Sequence, residues 1–336
     1  MPLPISSSPD AWPTICVAGA GAIGLTLAAR LALAGHRVSV VARGESLSAI
    51  NRDGIRLIDL DGDHRVKVQA VRAADLSAQD IVFLCPKSQD LPELASSIQP
   101  GIDADTLLIP VVNGIPWWYF EDGGDCDRVV RAVDPGDRLR KLLPSRQVLG
   151  SVTMVTAERK APGFVETFNP LRFALGEIRD RSPDRATGLA ELMSRAGIET
   201  RVEPRIRDAV WTKVLLNLIS NPLSVSTGAT LRQIFKTPQL AEISRCMLSE
   251  ALPVAKACGA RIAKEPADLL AIGGSMGDVK TSMLQDYERG AALELGSICE
   301  AVMELAHGHG IEMPTTRIIT NLARYCGSVR AHAQAA

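Results

Sequence analysis

The feature that most constrains the fold is a glycine-rich stretch near the start of the chain, GAGAIG at residues 19–24. It follows the short apolar run TICVAG and precedes LTLAARLALAG, whose apolar residues have helical spacing and which closes on Gly35. Glycines at its first, third and sixth positions permit a tight turn, close approach of a pyrophosphate and close packing of helix on strand. The context therefore favours a dinucleotide-binding turn over a plain strand–helix turn.

The rest of the N-terminal half alternates between strand and helix patterns. Strands are predicted for HRVSVVAR, GIRLIDL, DHRVKVQAV, IVFLCP and TLLIPVVNG, with a helix near residues 46–51. Residues 116–149 are rich in Gly, Asp and Pro, which predicts irregular or short helical structure. Three further strands are predicted at SVTMVTAERK, GFVETFN and LRFALGE, the last two joined at an Asn-Pro turn, then a helix and the strand IETRVEP. Alternation of this kind indicates a parallel sheet with helical crossovers.

The pattern changes after Pro204, where helical segments dominate to the end of the chain. At 336 residues the chain is long enough for about two domains. We therefore expect an α/β domain over residues 1–203 and a helical domain over residues 204–336.

Composition excludes several classes of protein. A hydrophobic content of 46% with 22% charged residues rules out global disorder, and a formal charge of −1 argues against nucleic acid or anionic membrane as a partner. Seven cysteines without a C-x-x-C pair indicate neither a disulfide framework nor a zinc site. The uncharged run from Thr14 ends at Arg30, short of the ~20 residues of a membrane span, and no Lys or Arg precedes it. We expect a soluble, cytoplasmic protein.

The second predicted strand indicates which nicotinamide dinucleotide would bind. An NAD site usually has Asp or Glu about 20 residues after the glycine-rich turn, to hold the ribose 2′-hydroxyl. Here the strand ends VVARG, which places Arg43 there instead. A guanidinium pairs well with a 2′-phosphate, so the sequence favours NADP(H), although a plain surface arginine is the alternative.

One predicted helix carries a polar stripe on an otherwise apolar surface. Lys213, Asn217 and Asn221 recur at every fourth position in WTKVLLNLISNP, and therefore lie along one face. Pro222 is expected to end or kink the helix just beyond them. The stripe is consistent with a substrate cleft or with a solvated surface, and the spacing alone does not separate the two.

Taken together, these motifs resemble the ketopantoate reductase (2-dehydropantoate 2-reductase) family. GAGAIG, PKSQD, VVNG, K-x-x-x-N-x-x-x-N-P-L, SMLQD and a downstream glutamate match the family's motifs in order over nearly the whole chain. The resemblance implies a Rossmann-type domain followed by an all-helical domain, with the active site between them. It also implies NADPH-dependent reduction of ketopantoate for pantothenate synthesis: hydride transfer to the C2 carbonyl, with a lysine as proton donor.

The resemblance also assigns roles to individual residues. Lys213 would be the catalytic proton donor. The substrate would contact Asn113, Asn217, Asn221 and Ser282, and Ser282 would bind the carboxylate of the substrate. The cofactor would contact Gly19, Ala20, Gly21, Ala22, Ile23, Gly24, Arg43, Lys87, Asn113, Ala157 and Glu294. Each of Lys87, Asn113, Ser282 and Glu294 also has a purely structural interpretation, as a loop, turn or helix-end residue. No metal is implied.

The aromatic segment Trp117–Phe120, directly behind VVNG, departs from the family pattern. It is either a core or interface anchor, or the lining or lid of a pocket for another substrate. Three functions therefore stay open: a ketopantoate reductase, a family member that reduces a different 2-oxo acid, and a non-catalytic nicotinamide sensor, against which the lysine and its polar neighbours argue. The long apolar C-terminal helices are compatible with a homodimer or with a domain core alone.

Overall fold

The computed structural model describes residues 12–121, 129–179 and 182–335. These residues form two compact units. The first contains the described residues within Met1–Val112, Trp118–Arg128 and Asp137–Ile206, and the second those within Asn113–Trp117, Val129–Gly136 and Arg207–Ala336. Two short segments that precede residue 203 in the sequence therefore pack with the C-terminal helices rather than with the sheets.

The first unit is built on a five-stranded parallel sheet. Its strands are β1 (Ile15–Ala18), β2 (Val38–Val41), β5 (Gln69–Val71), β6 (Ile81–Leu84) and β7 (Leu107–Pro110), in the order β5-β2-β1-β6-β7. The central strands β1 and β6 are buried along their whole length, which explains why they read as continuous apolar runs rather than as alternating ones. The predicted parallel α/β architecture is confirmed.

The first unit also contains α-helices. They are α1 (Ala22–Leu33), α2 (Gly44–Asp53), α3 (Leu91–Ser97), α4 (Arg138–Leu142) and α5 (Asp184–Arg195). Helix α1 buries one long apolar side and ends at Leu33; Ala34 is its C-cap, and Gly35 then takes a positive φ of 89°. A glycine at this position supplies the left-handed turn that ends many helices.

Two smaller sheets complete the unit. One joins β3 (Ile55–Asp59), β4 (Gly62–Val66), β9 (Ala157–Ala161) and β10 (Phe164–Thr167), in the order β4-β3-β10-β9. The other joins β8 (Leu149–Thr153), β11 (Arg172–Glu177) and β12 (Glu199–Val202), in the order β12-β11-β8.

Two segments that were each predicted as one strand are in fact two strands that belong to different sheets. DHRVKVQAV divides into β4 and β5, which belong to different sheets, and Lys67 between them donates a hydrogen bond to the carbonyl of Arg52 at 2.7 Å. SVTMVTAERK divides into β8 and β9. At that break the side chain of Asn169 accepts from the N–H of Thr156 and donates to the carbonyl of Met154. The Asn-Pro turn therefore connects two sheets instead of closing a hairpin.

The second unit is helical. Its helices are α6 (Ile206–Thr227), α7 (Leu231–Lys236), α8 (Pro238–Ala257), α9 (Pro266–Ser275), α10 (Ser282–Glu288), α11 (Ala301–Gly308) and α12 (Pro314–Ala335), with a π-helical segment at Gly296–Glu300. The helical C-terminal region is thus confirmed. Within the described part of the chain, no helix combines the length and apolar character needed to cross a membrane.

Pro222 was expected to end or kink α6; the helix contains it and continues past it for five residues, so it does not end there. Proline removes one N–H from the helical ladder. Hydroxyl groups around it bond to nearby carbonyls: Ser224 donates to Asn221 at 2.6 Å and Ser226 donates to Pro222 at 2.9 Å. Serine hydroxyls bond back to helix carbonyls in this way without ending the helix.

Candidate active site

The glycine-rich turn connects β1 to α1 at the carboxyl edge of the parallel sheet. Gly19 has a φ of 123°, and its N–H donates to the carbonyl of Val41 at 3.1 Å. A Cβ on Gly19 would lie 2.7 Å from the carbonyl oxygen of Cys85, and one on Gly24 would lie 1.9 Å from the carbonyl oxygen of Gly19. Both positions therefore require glycine for the packing of the turn itself.

Gly21 differs from these two glycines because it is exposed. A Cβ there would have one neighbour within 4 Å, the oxygen of Cys85 at 3.9 Å, so the fold itself would tolerate a side chain. Gly21 is also the residue that precedes α1, whose first-turn N–H groups have no earlier carbonyls to bond. The open surface over Gly21 and these N–H groups fit the pyrophosphate of a dinucleotide.

Two predicted cofactor residues follow β2 and β6, the strands on either side of β1, at the same edge of the sheet. Arg43 lies just after β2, is exposed and precedes the first turn of α2. Lys87 lies three residues after β6 and is half-buried. Ligands of open parallel sheets bind outside the carboxyl ends of the strands, where the order of strands reverses. Both residues and the glycine-rich turn lie at this edge.

The β9–β10 hairpin adds a cation that the sequence analysis missed. Its turn packs on α2, since a Cβ on Gly163 would lie 3.6 Å from Ile50. Arg159 of β9 donates a hydrogen bond to the hydroxyl of Ser46, in the first turn of α2, at 3.4 Å. Arg159 thus contacts the first turn of α2, the helix that begins directly after Arg43. Ala157 begins β9 and is half-buried.

A polar stripe runs along α6, as the spacing predicted. Lys213 and Asn217 are half-buried and Asn221 is 3% exposed, while the residues between them include the fully buried Leu215 and Leu218. The Nδ2 atom of Asn221 is buried and has no hydrogen-bond partner among the residues that the structure describes. A buried amide without a partner costs free energy, so this group is suited to a ligand.

Asn113, Lys213 and Glu294 come together from three separate segments of the second unit. The Nδ2 atom of Asn113 donates to the Oε2 atom of Glu294 at 3.4 Å. Glu294 is 4% exposed and interacts electrostatically with Lys213. Burial lowers the pKa of Lys213 to about 8, and the carboxylate of Glu294 opposes that shift. An ammonium group with this pKa can give up a proton near neutral pH.

The π-helical segment positions Asn113 beside Glu294. The carbonyl of Ser297 accepts a hydrogen bond from the N–H of Ile115 at 2.9 Å. Gly114 has a φ of 89°, and a Cβ there would lie 2.3 Å from that same carbonyl oxygen. The VVNG motif therefore needs its glycine both for its backbone conformation and for this close approach. Interruptions of an α-helix by π turns are common at functional sites.

Ser282, the remaining predicted substrate residue, is exposed at the first position of α10. The residue before it, Thr281, is buried and caps α10 by accepting the N–H of Leu284 at 3.1 Å. Asn217 and Asn221 lie on the same helix as Lys213, α6, whereas Ser282 lies on a different helix of the same unit, α10.

The aromatic segment behind VVNG is buried. Trp117, Trp118 and Tyr119 are each less than 5% exposed, and a Cβ on Gly150 of β8 would lie 3.0 Å from the ring of Trp118. The burial supports the interpretation of these residues as core anchors. Among the described residues, no group of three or more His, Cys, Asp or Glu side chains is placed to hold a metal ion. Cys126 lies outside the described residues.

Comparison with known proteins identifies the family. The model "Ketopantoate reductase PanE/ApbA" matches residues 15–180, and its C-terminal counterpart matches residues 205–326. A 2-dehydropantoate 2-reductase of Mesorhizobium japonicum is 38% identical over 313 residues, covering 92% of this chain and 95% of the relative.

Solved structures agree with this assignment. A chain from Ralstonia solanacearum MolK2 assigned to the ketopantoate reductases superposes with a TM-score of 0.89 at 34% identity, covering 94% of this chain and 98% of that one. A D-mandelate dehydrogenase in complex with NADH and anilino(oxo)acetate shares the fold, with a TM-score of 0.83 at 22% identity over 94% of this chain and 99% of that one. The chain belongs to the ketopantoate reductase family of oxidoreductases.

Proposed function

We propose that this protein reduces 2-dehydropantoate to pantoate with NADPH, as a step of pantothenate synthesis. The observation that carries the proposal is Lys213, which has a pKa lowered to about 8 by desolvation and interacts with the carboxylate of Glu294, itself bonded to the amide of Asn113. A family reductase needs a proton donor close to neutral pH, and a non-catalytic sensor has no use for one. The name of the 38% identical relative supports the same substrate.

The cofactor is assigned from the residues of the first unit. The turn from Gly19 to Gly24 would hold the pyrophosphate, and the bound dinucleotide would supply the hydride from its nicotinamide. Two arginines, Arg43 and Arg159, flank the first turn of α2, and no acidic residue stands directly after β2 to accept a ribose 2′-hydroxyl. Guanidinium groups bind phosphate through paired hydrogen bonds, which supports NADPH over NADH.

The polar residues of the second unit would complete the reaction. As the C2 carbonyl becomes an alkoxide, negative charge develops on its oxygen, and the ammonium of Lys213 would stabilise that charge and deliver the proton. Asn217 and Asn221, on the same helix face, would orient the substrate, and Ser282 would bind its carboxylate. Glu294 keeps Lys213 more protonated than burial alone would allow.

The test is NADPH oxidation by the purified protein, followed by absorbance, with 2-dehydropantoate against a panel of other 2-oxo acids. NADH serves as the cofactor control. Preference for 2-dehydropantoate with NADPH is the expected result. If only another 2-oxo acid is reduced, the proposed residue roles would stand and the proposed substrate would be wrong. Tight NADPH binding without turnover of any acid would overturn the proposal in favour of a sensor.

A further inference from the structure

Two buried hydroxyl groups join the helix that carries Lys213 to the helix that begins with Ser282. The Oγ atom of Ser224, in α6, lies 2.6 Å from the Oγ1 atom of Thr281, the residue before α10. Ser224 is 0% exposed and Thr281 is 5% exposed. The hydrogen bond between them is therefore largely shielded from water, and its loss would leave buried polar atoms unsatisfied.

The other partners of the two hydroxyls fix the direction of this hydrogen bond. Thr281 Oγ1 accepts the N–H of Leu284 at 3.1 Å, and Ser224 Oγ donates to the carbonyl oxygen of Asn221 at 2.6 Å. Each hydroxyl has a single proton. Because Ser224 uses its proton on Asn221, Thr281 must donate to Ser224. The result is a directed chain from the N–H of Leu284, through both hydroxyls, to the carbonyl of Asn221.

The two ends of this chain are next to substrate-binding candidates. Thr281 directly precedes Ser282, and Ser224 holds the backbone of Asn221 itself. The Nδ2 atom of Asn221 has no partner among the described residues and is open to a ligand, while the Ser224–Thr281 bond joins this turn of α6 to the start of α10. Hydrogen bonds in such chains polarise one another and act as a unit.

We propose that Ser224 and Thr281 are positioning residues that set the distance between Asn221 and Ser282, and so determine affinity for the 2-oxo acid. The inference rests on the proposed function, since it assumes that these two residues bind substrate. Neither hydroxyl needs to touch the substrate. Both act through the backbone of a neighbouring residue, and Lys213, about three turns before Ser224 on α6, keeps its place without them.

The experiment compares steady-state kinetics of Ser224→Ala, Thr281→Val and Thr281→Ser with the unaltered protein, using NADPH and 2-dehydropantoate. Ser226→Ala is the matched control, since its hydroxyl also bonds to a carbonyl of α6, that of Pro222. We expect Ser224→Ala and Thr281→Val to raise the KM for the 2-oxo acid about tenfold, a change worth about 1.4 kcal/mol. The kcat and the KM for NADPH should stay within about twofold, and Thr281→Ser should restore the original KM.

Because the two hydroxyls act as a unit, the double variant Ser224→Ala/Thr281→Val should show about the same KM as either single variant rather than the product of the two effects. An unchanged KM in both single variants, or equal losses with Thr281→Ser and Thr281→Val, would overturn the inference. If Ser224→Ala does not fold, the comparison at Thr281 decides alone. Failure of the proposed function would be seen separately, as no 2-dehydropantoate turnover by the unaltered protein.

Discussion

The carboxylate of Glu294 raises the pKa of Lys213, whereas burial lowers it. Loss of water lowers the pKa of Lys213 to about 8, and the carboxylate of Glu294 limits the fall. Glu294 is itself 4% exposed and is reached by the amide of Asn113. A lysine that is desolvated but still mostly protonated at pH 7 is the form that a carbonyl reduction requires, because the group must hold a proton until the oxygen becomes basic.

Replacement of Lys213 tests its role as proton donor. Lys213→Ala should lower kcat by about 10²–10⁴-fold, because the general acid is lost, while NADPH should still bind. Binding is measured by quenching of protein fluorescence or by calorimetry. Lys264→Ala, at an exposed lysine of the same unit, is the control and should keep full activity. Turnover within twofold of the unaltered protein in Lys213→Ala would refute the assignment.

The pH dependence of kcat/KM tests the interaction between Lys213 and Glu294. Lys213 is protonated below about pH 8, so reduction should slow as the pH rises through that value. In Glu294→Gln the opposing carboxylate charge is gone, which lowers the pKa of Lys213 further and should move the falling limb to lower pH. Glu300→Gln, whose carboxylate pairs instead with Arg324 at 2.6 Å, should leave the limb in place. A limb that moves to higher pH in Glu294→Gln would contradict this electrostatic account.

The local features of the candidate site are easier to predict from the sequence than the division of the strands among sheets. The stripe on α6 and the glycine-rich turn depend on local periodicity, which is visible in a single segment. The division of SVTMVTAERK between two sheets depends on Asn169, 13 residues away from Thr156, so no local pattern reveals it. For the same reason the contact of Arg159 with Ser46, between residues 113 positions apart, could not be inferred.

Ser224 and Thr281 illustrate the same limit inside the helical unit. Serine and threonine near a proline or a helix start have ordinary local explanations, as back-bonding or capping groups. Their mutual bond joins residues 57 positions apart and depends on how α6 packs beside α10. Pro222 was expected to end or kink α6; the helix does not end there, and two serine hydroxyls bond to the carbonyls of Asn221 and of Pro222 itself.

The two glycines of the cofactor turn should respond differently to substitution. Gly24→Ala places a Cβ 1.9 Å from a backbone oxygen and should destabilise the protein by about 1–3 kcal/mol. Gly21→Ala meets only an ordinary contact in the fold, so stability should hardly change, while the methyl group occupies the surface over which the pyrophosphate would lie. NADPH affinity should then fall about tenfold or more, or about 1.4 kcal/mol. Urea unfolding and calorimetric titration measure the two effects, and equal NADPH affinity in Gly21→Ala would argue against binding at this turn.

Cofactor preference tests the two arginines beside α2. Arg43→Ala should weaken NADPH binding by about 1.5–3 kcal/mol, the range for hydrogen bonds to charged groups, and leave NADH binding nearly unchanged. Arg159→Ala should act in the same direction. Arg172→Ala is the control, since this exposed arginine pairs with Glu199 at 2.8 Å on another sheet. Equal losses for NADPH and NADH would mean that the arginines contact a part common to both cofactors.

Removal of the Glu250 carboxylate should affect stability without touching the candidate site. Glu250 accepts the N–H groups of Thr315 and Thr316 at 2.8 and 2.9 Å and the hydroxyl of Thr316 at 2.8 Å, and so caps the first turn of α12. Burial alone would raise the pKa of Glu250, but these hydrogen bonds outweigh it and hold the pKa below the ordinary value of 4.5.

A depressed pKa in the folded state means that the carboxylate contributes stability above about pH 4.5, and that this contribution is lost as the pH falls through the folded-state pKa. Glu250→Gln should therefore lower the free energy of unfolding by about 1–2 kcal/mol at pH 7. The free energy of unfolding of this variant should also fall less between neutral and acid pH than that of the unaltered protein. Glu242→Gln, at an exposed glutamate of the same helix, is the control. Urea unfolding at pH 7 and pH 4 measures both variants. If Glu250→Gln loses as much stability between these two pH values as the unaltered protein does, the acid sensitivity belongs to other carboxylates.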